Sequence, residues 1–129
     1  RIIFLDADHS SIMDAKHNFK NFKLKNALFL NKDITHFNNK VDTVIQNPPF
    51  GVQNEHADRI FLIKAMKLSD IVYSFHKLES RKFIEALARD YDFRLNSLLK
   101  FKFEIKKTQK FHTKKVYSVN VGCFVLRKI

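Results

Sequence analysis

Asn47, Pro48, Pro49 and Phe50, followed by Gly51, close an apolar run from Val41 to Ile45. That run predicts a buried strand, and the prolines end it. Each proline fixes φ and lacks an N–H, and the residue before a proline is pushed towards extended geometry, so the loop is stiff. The Asn47 side-chain oxygen and the Pro48 carbonyl can each accept one N–H of an amino group on a flat base, with Phe50 stacked on the ring. Such a grip favours a pyramidal nitrogen, whose localised lone pair can attack an electrophilic methyl group without a general base at that step. An ordinary proline turn closing a strand is the plain alternative. The apolar strand before the motif and the aromatic residue and glycine after it favour chemistry over that turn.

Acidic residues stand at the ends of two other short apolar runs. Ile2 to Leu5 leads into Asp6, Ala7 and Asp8, the pattern of a buried parallel strand. In a doubly wound sheet ligands bind beyond the carboxyl ends of the strands, and a carboxylate there can accept hydrogen bonds from two adjacent ribose hydroxyls. Asp6 takes that role, with Asp8 second, since Asp8 beside Ser10 and Ser11 can instead start a helix. Ala27 to Leu30 leads similarly to Asp33. Its carboxylate can accept from an adenine amino group while the Ile34 backbone N–H faces a ring nitrogen; read alone, Asp33 serves equally well as a turn residue.

The intervening segments must hold these strand ends in place. Ser11 to Phe22 carries Ile12, Ala15, Phe19 and Phe22 at helical spacing. Val52 to His56 reads as a polar lid, Ala57 to Leu68 as a mostly apolar helix, Ile71 to Phe75 as a strand ending at His76 and Lys77, and Leu78 to Tyr91 as a helix. Phe93 to Ile105 and Val116 to Ile129 are long enough to pair as antiparallel neighbours.

Charge points to the class of partner. The net charge is +11, and residues 76–129 carry fourteen Lys and Arg against five Asp and Glu, while residues 1–75 carry ten against eight. A polyanion suits the basic half, and with a base-gripping motif upstream that means nucleic acid. The loop Lys106 to Lys115 (KKTQKFHTKK) concentrates the charge. Lys110, Lys114 and Lys115 can hold phosphates, Phe111 and His112 can stack on a base, and His76 and Lys77 add to the same surface. A solvated hairpin tip in a lysine-rich protein is the competing explanation.

The stretch DTVIQNPPFG resembles the N-P-P-[FYW] motif of amino-group methyltransferases. Together with VYSFHK and KFHTKK, it resembles the adenine-N6 methyltransferases of small-subunit ribosomal RNA found in archaea and eukaryotes. The resemblance implies an α/β fold: a Rossmann-like class I methyltransferase sheet with a terminal antiparallel strand pair. It also implies S-adenosylmethionine as cofactor, with Asp6 at its ribose, Asp33 and Ile34 at its adenine, and Asn47 to Phe50 at the target adenosine. RNA, and on this resemblance rRNA, would lie on the hairpin. Eukaryotic members imply a small zinc-binding activator paired along a sheet edge. The family carries a first strand and a Gly-rich turn ahead of the position of Ile2, whereas the glycines here are Gly51 and Gly122. Residues 1–129 are therefore expected to be the later part of one methyltransferase domain, completed by a longer parent chain or a second polypeptide. Glutamine or DNA amino methylation, and a scaffold that binds RNA without cofactor, are the other functions open to this pattern.

Cys123 is the only cysteine, which excludes an internal disulfide and a cysteine zinc site and suits a reducing cytoplasm. Its apolar neighbours predict a small buried side chain. No metal site is expected, and no apolar run approaches a membrane span.

Overall fold

The computed structural model describes residues 1–49, 57–106 and 116–129. It forms two compact units, Arg1–Asn39 and Lys40–Ile129.

The first unit is a β-α-β arrangement. Strand β1 (Ile2–Asp6), helix α1 (His9–Asn21) and strand β2 (Ala27–Asn31) follow one another, and the strands pair in parallel with Phe4 opposite Phe29 and Asp6 opposite Asn31. Parallel neighbours need a crossover, which α1 supplies. Three phenylalanines hold helix to sheet: Phe4 and Phe29 stack at 5.1 Å, and Phe19 meets both edge-on at 5.9 and 5.6 Å. Ile12 is buried beneath the helix. Phe22 differs from its expected place in the apolar stripe, because the helix ends one residue earlier. Phe22 is the carboxyl cap and is exposed, and the chain reverses through Lys23 at a φ of 53°.

The second unit is a four-stranded sheet with two helices. Strands β3 (Val44–Gln46), β4 (Ile71–Lys77), β5 (Phe93–Lys106) and β6 (Val116–Lys128) lie in the order β3-β4-β6-β5. β3 and β4 are parallel, while β6 runs antiparallel to β4 and β5, so the terminal pair has the expected form. Helices α2 (Ala57–Leu68) and α3 (Arg81–Asp90) bury Leu62, Ala65, Met66, Ile84, Leu87 and Ala88 with Val72, Phe93, Phe124 and Leu126 of the sheet. Apolar burial of this kind contributes roughly 25 cal/mol per Å² and is the main force holding the helices on the sheet. Cys123 lies in β6 and is buried, as its neighbours predict, and burial pushes its thiol pKa up.

Two expected boundaries shift. The run from Val41 shortens to a strand of three residues: Val41 N–H bonds instead to the Leu68 carbonyl at 3.0 Å, and Ile45 is 74% exposed rather than buried. Ile45 pairs with Tyr73, and both point to the face of the sheet opposite Val72, Ser74 and the covering helices, which leaves the Ile45 side chain open. The helix expected from Leu78 begins at Arg81, because Leu78–Ser80 forms a tighter 3-10 turn as the chain leaves β4.

Candidate active site

In the first unit the acidic residues stand where parallel strands end. Asp6 is the last residue of β1, and its exposed carboxylate accepts the Asp8 backbone N–H at 2.8 Å. The neighbouring turn is fixed from below: Asn31 Nδ2 donates to the Asp6 and Ala7 carbonyls at 3.1 and 2.9 Å, and Lys32 N–H donates to the Asp6 carbonyl at 3.1 Å. The β1 end is thereby rigid, with Asp6 facing solvent.

Asp8 is engaged differently. It caps α1, accepting from the hydroxyls of Ser10 and Ser11 at 2.6 and 2.9 Å and from their N–H groups at 3.2 and 3.3 Å. The Ser10 hydroxyl, then that of Ser11, holds its carboxyl below the usual carboxylate range. Helix capping accounts for Asp8.

Asp33 follows β2 at the same carboxyl edge as Asp6. It caps the 3-10 turn Ile34–His36, accepting from the Thr35 hydroxyl at 2.6 Å and the Thr35 N–H at 2.8 Å. The hydroxyl is the main cause of its lowered pKa. Ile34 begins that turn and is half-buried. Asp33 is thus the turn residue that its local sequence allows, and it is also exposed at a strand end, where a ligand can reach it.

In the second unit Asn47 follows directly on Gln46, the end of β3, and is exposed; Pro48 is buried and Pro49 exposed. Burying one proline and exposing the asparagine is what a rigid loop presenting an amide requires. Phe50 and the expected lid Val52 to His56 lie outside the described residues, as do Lys110, Phe111, His112, Lys114 and Lys115 of the basic loop. Lys77 ends β4, half-exposed, with its amine 4.0 Å from Glu79.

His76 departs from its expected surface position. It is 1% exposed, its Nε2 lies 2.6 Å from Ser74 Oγ, and its Nδ1 lies 3.9 Å from Asp58 Oδ2. Alternation in a strand explains the inward placement: Val72, Ser74 and His76 share the face covered by α2 and α3, so His76 has no side-chain face turned to a polyanion. Burial lowers its pKa to about 4 against the opposing pull of Asp58. Ser74 and Gln46 carried no motif signal; only the period-two pattern of VYSFHK could have marked Ser74 as inward.

The fold is that of Rossmann-like methyltransferases, with acidic residues and the N-P-P segment at carboxyl ends of parallel strands. The chain belongs to the methyltransferase small domain family, which matches residues 1–68. It is 33% identical over 140 residues to an uncharacterized protein of Methanocaldococcus jannaschii, covering all of this chain and 64% of that one. It is also 30% identical over 122 residues to the rRNA N(6)-adenosine-methyltransferase METTL5 of Danio rerio, covering 90% of this chain and 59% of the relative. A crystal structure from Pyrococcus horikoshii, for which an RNA methyltransferase role has been put forward, superposes with a TM-score of 0.85 at 39% identity, covering 98% of this chain and 63% of that one. The chain spans about three fifths of the length of each of these proteins. The resemblance read from the motifs is borne out by these relatives.

Proposed function

We propose that this chain carries the amine-binding part of an S-adenosylmethionine-dependent methyltransferase acting on adenine N6 in RNA, with small-subunit rRNA as the substrate. The observation that carries the reading is the exposed Asn47, held by a buried Pro48 at the carboxyl end of a parallel strand. Asn47 and the Pro48 carbonyl accept the two amine hydrogens. Phe50 stacks on the base, and the nitrogen lone pair is thereby directed at the methyl donor. The relative named as an rRNA adenosine methyltransferase supports adenine over glutamine or DNA amines.

The described residues fit the nucleoside part of the cofactor. Asp6 and Asp33 are exposed carboxylates beyond two adjacent parallel strands, which supports Asp6 as acceptor from the ribose hydroxyls and Asp33 as acceptor from the adenine amino group, with the Ile34 N–H donating to a ring nitrogen. The glycines at 51 and 122 offer no Gly-rich turn for the methionine part. When bound, the cofactor supplies the electrophilic methyl group.

A further segment, from a parent chain or a second polypeptide, supplies that turn and the first strand. This is consistent with β1, which is hydrogen-bonded on one side only among the described residues and so leaves an edge for such a strand. The basic loop with Lys110, Phe111, His112, Lys114 and Lys115 holds RNA, and Lys77 at the end of β4 adds a further positive charge for it. A small zinc-binding activator paired along a sheet edge belongs to the same reading, and β5 offers such an edge. A cytoplasmic location agrees with the single buried cysteine; no described helix is long and apolar enough to cross a membrane. The test is calorimetric titration of S-adenosylmethionine with and without the completing segment, followed by transfer of labelled methyl to rRNA. Binding and transfer that require the segment support the reading, whereas RNA binding with no cofactor affinity in either case makes the chain a scaffold.

A further inference from the structure

A string of polar groups runs from the end of β3 to the first turn of α2. Gln46 ends β3 immediately before Asn47, and its Nε2 donates to Ser74 Oγ at 2.9 Å. Ser74 Oγ lies 2.6 Å from His76 Nε2. His76 Nδ1 faces Asp58 Oδ2 at 3.9 Å, and Asp58 is in the first turn of α2, the helix that follows the loop. The last link exceeds hydrogen-bond length and is an electrostatic attraction.

The directions of these bonds are determined by the inventory of donors. A serine hydroxyl has one hydrogen and two lone pairs, and Gln46 already donates to it. An ionised carboxylate only accepts, so a proton on His76 Nδ1 is favoured on the side facing Asp58. Ser74 O–H then donates to Nε2, and every group points the same way along the string. This tautomer is assigned from the network. Ser74 and His76 are 0% and 1% exposed, in a layer otherwise made of Val72, Phe124 and Leu126. Polar groups in such a layer cost desolvation, and apolar residues would fill it more stably. The imidazole is hemmed in further: Phe124 meets it edge-on at 5.9 Å, and Gly122 pairs with it across the strands. A side chain at Gly122 would meet Leu98 Cδ1 at 2.6 Å and Leu78 Cδ2 at 2.7 Å, so two leucines take the space opposite the histidine.

We infer that Ser74 and His76 are positioning residues: they hold Gln46 against the first turn of α2 at Asp58 and so set the direction in which Asn47, the next residue after Gln46, points. What the loop grips rests on the reading above, but the string does not.

The test uses the completed protein, this chain with its further segment, in the absence of cofactor and RNA, so its result and that of the methyl-transfer reading are independent. Amide hydrogen exchange is followed in wild type, Ser74→Ala and Asp58→Asn, together with 15N spectra of the His76 ring. Wild type should show a neutral ring protonated on Nδ1. Ser74→Ala should speed exchange at Gln46, Asn47 and residues 57–60 about tenfold, the size of a local opening, while the β4–β6 ladder keeps its protection. Asp58→Asn, outside the core, should speed the 57–60 amides and weaken the Nδ1–H preference, and it serves if Ser74→Ala fails to fold. Exchange that rises uniformly, exchange unchanged at both loop ends, or a ring protonated on Nε2 in wild type overturns the inference.

Discussion

Ser74 and His76 point the same way from β4 and share a 2.6 Å hydrogen bond inside an otherwise apolar layer. Burial there holds the imidazole neutral, with a pKa of about 4 instead of 6.5. The folded pKa lies below the unfolded one, so the unfolded state binds more protons as the pH falls. The contribution is intact above about pH 6.5 and is lost progressively down to about pH 4, reaching about 3 kcal/mol. Urea unfolding between pH 7.5 and 4.5 should show this slope in wild type and lose most of it in His76→Gln. Asp58 pulls the pKa upward, so Asp58→Asn should carry the loss on to lower pH; a wild-type slope equal to that of His76→Gln would contradict the buried neutral histidine.

Asp8 and Asp6 should separate by what each substitution damages. Asp8 caps α1 with four hydrogen bonds, so Asp8→Ala should lower the melting temperature and leave cofactor affinity nearly unchanged. Asp6→Ala should weaken S-adenosylmethionine by about 1 to 3 kcal/mol, the size of a lost charge-assisted hydrogen bond. Thermal melts and calorimetry on the completed enzyme distinguish the two, and the reverse pattern would make Asp8 the ribose ligand.

The basic loop yields a salt signature. Replacing Lys114 and Lys115 by Ala should lower RNA affinity and flatten its dependence on log salt by roughly 0.7 to 0.9 for each phosphate no longer neutralised. Phe111→Ala should cost about 1 to 3 kcal/mol with the slope unaltered, as the removal of a stacked ring does. Filter binding at several salt concentrations reads both; unchanged affinity and slope would leave the loop a solvated tip.

Much of this architecture is legible in the sequence because the patterns are local. The three helices follow from apolar spacing, and the final antiparallel pair follows from two long strand-like runs around a polar loop. Proline chemistry alone places Asn47 at a strand end. The parts that are not legible depend on neighbours distant in sequence. Ile45 looks like a core residue, but helices cover only the face of β3 and β4 that holds Val44 and Val72, and Ile45 points from the other. Phe22 fits the apolar stripe of α1, but the reversal at Lys23 removes it. His76 reads as a surface base at the end of a strand; alternation puts it on one face with Val72 and Ser74, but that this face is the one α2 and α3 cover depends on the tertiary fold. The partnership of Gln46 with Ser74, 28 residues apart, has no sequence signal at all.

The central claim is that Asn47 holds the reacting amine, and methyl transfer by the completed enzyme tests it most directly. Initial rates of labelled methyl incorporation into small-subunit rRNA would be compared for wild type and Asn47→Ala, at saturating cofactor and matched folded fraction. Because Asn47 is exposed on a loop, the substitution should leave folding nearly intact. The expected result is a loss in rate on the order of 10² to 10³, the cost of one polar group aimed at a reacting atom. Turnover close to that of wild type would contradict it.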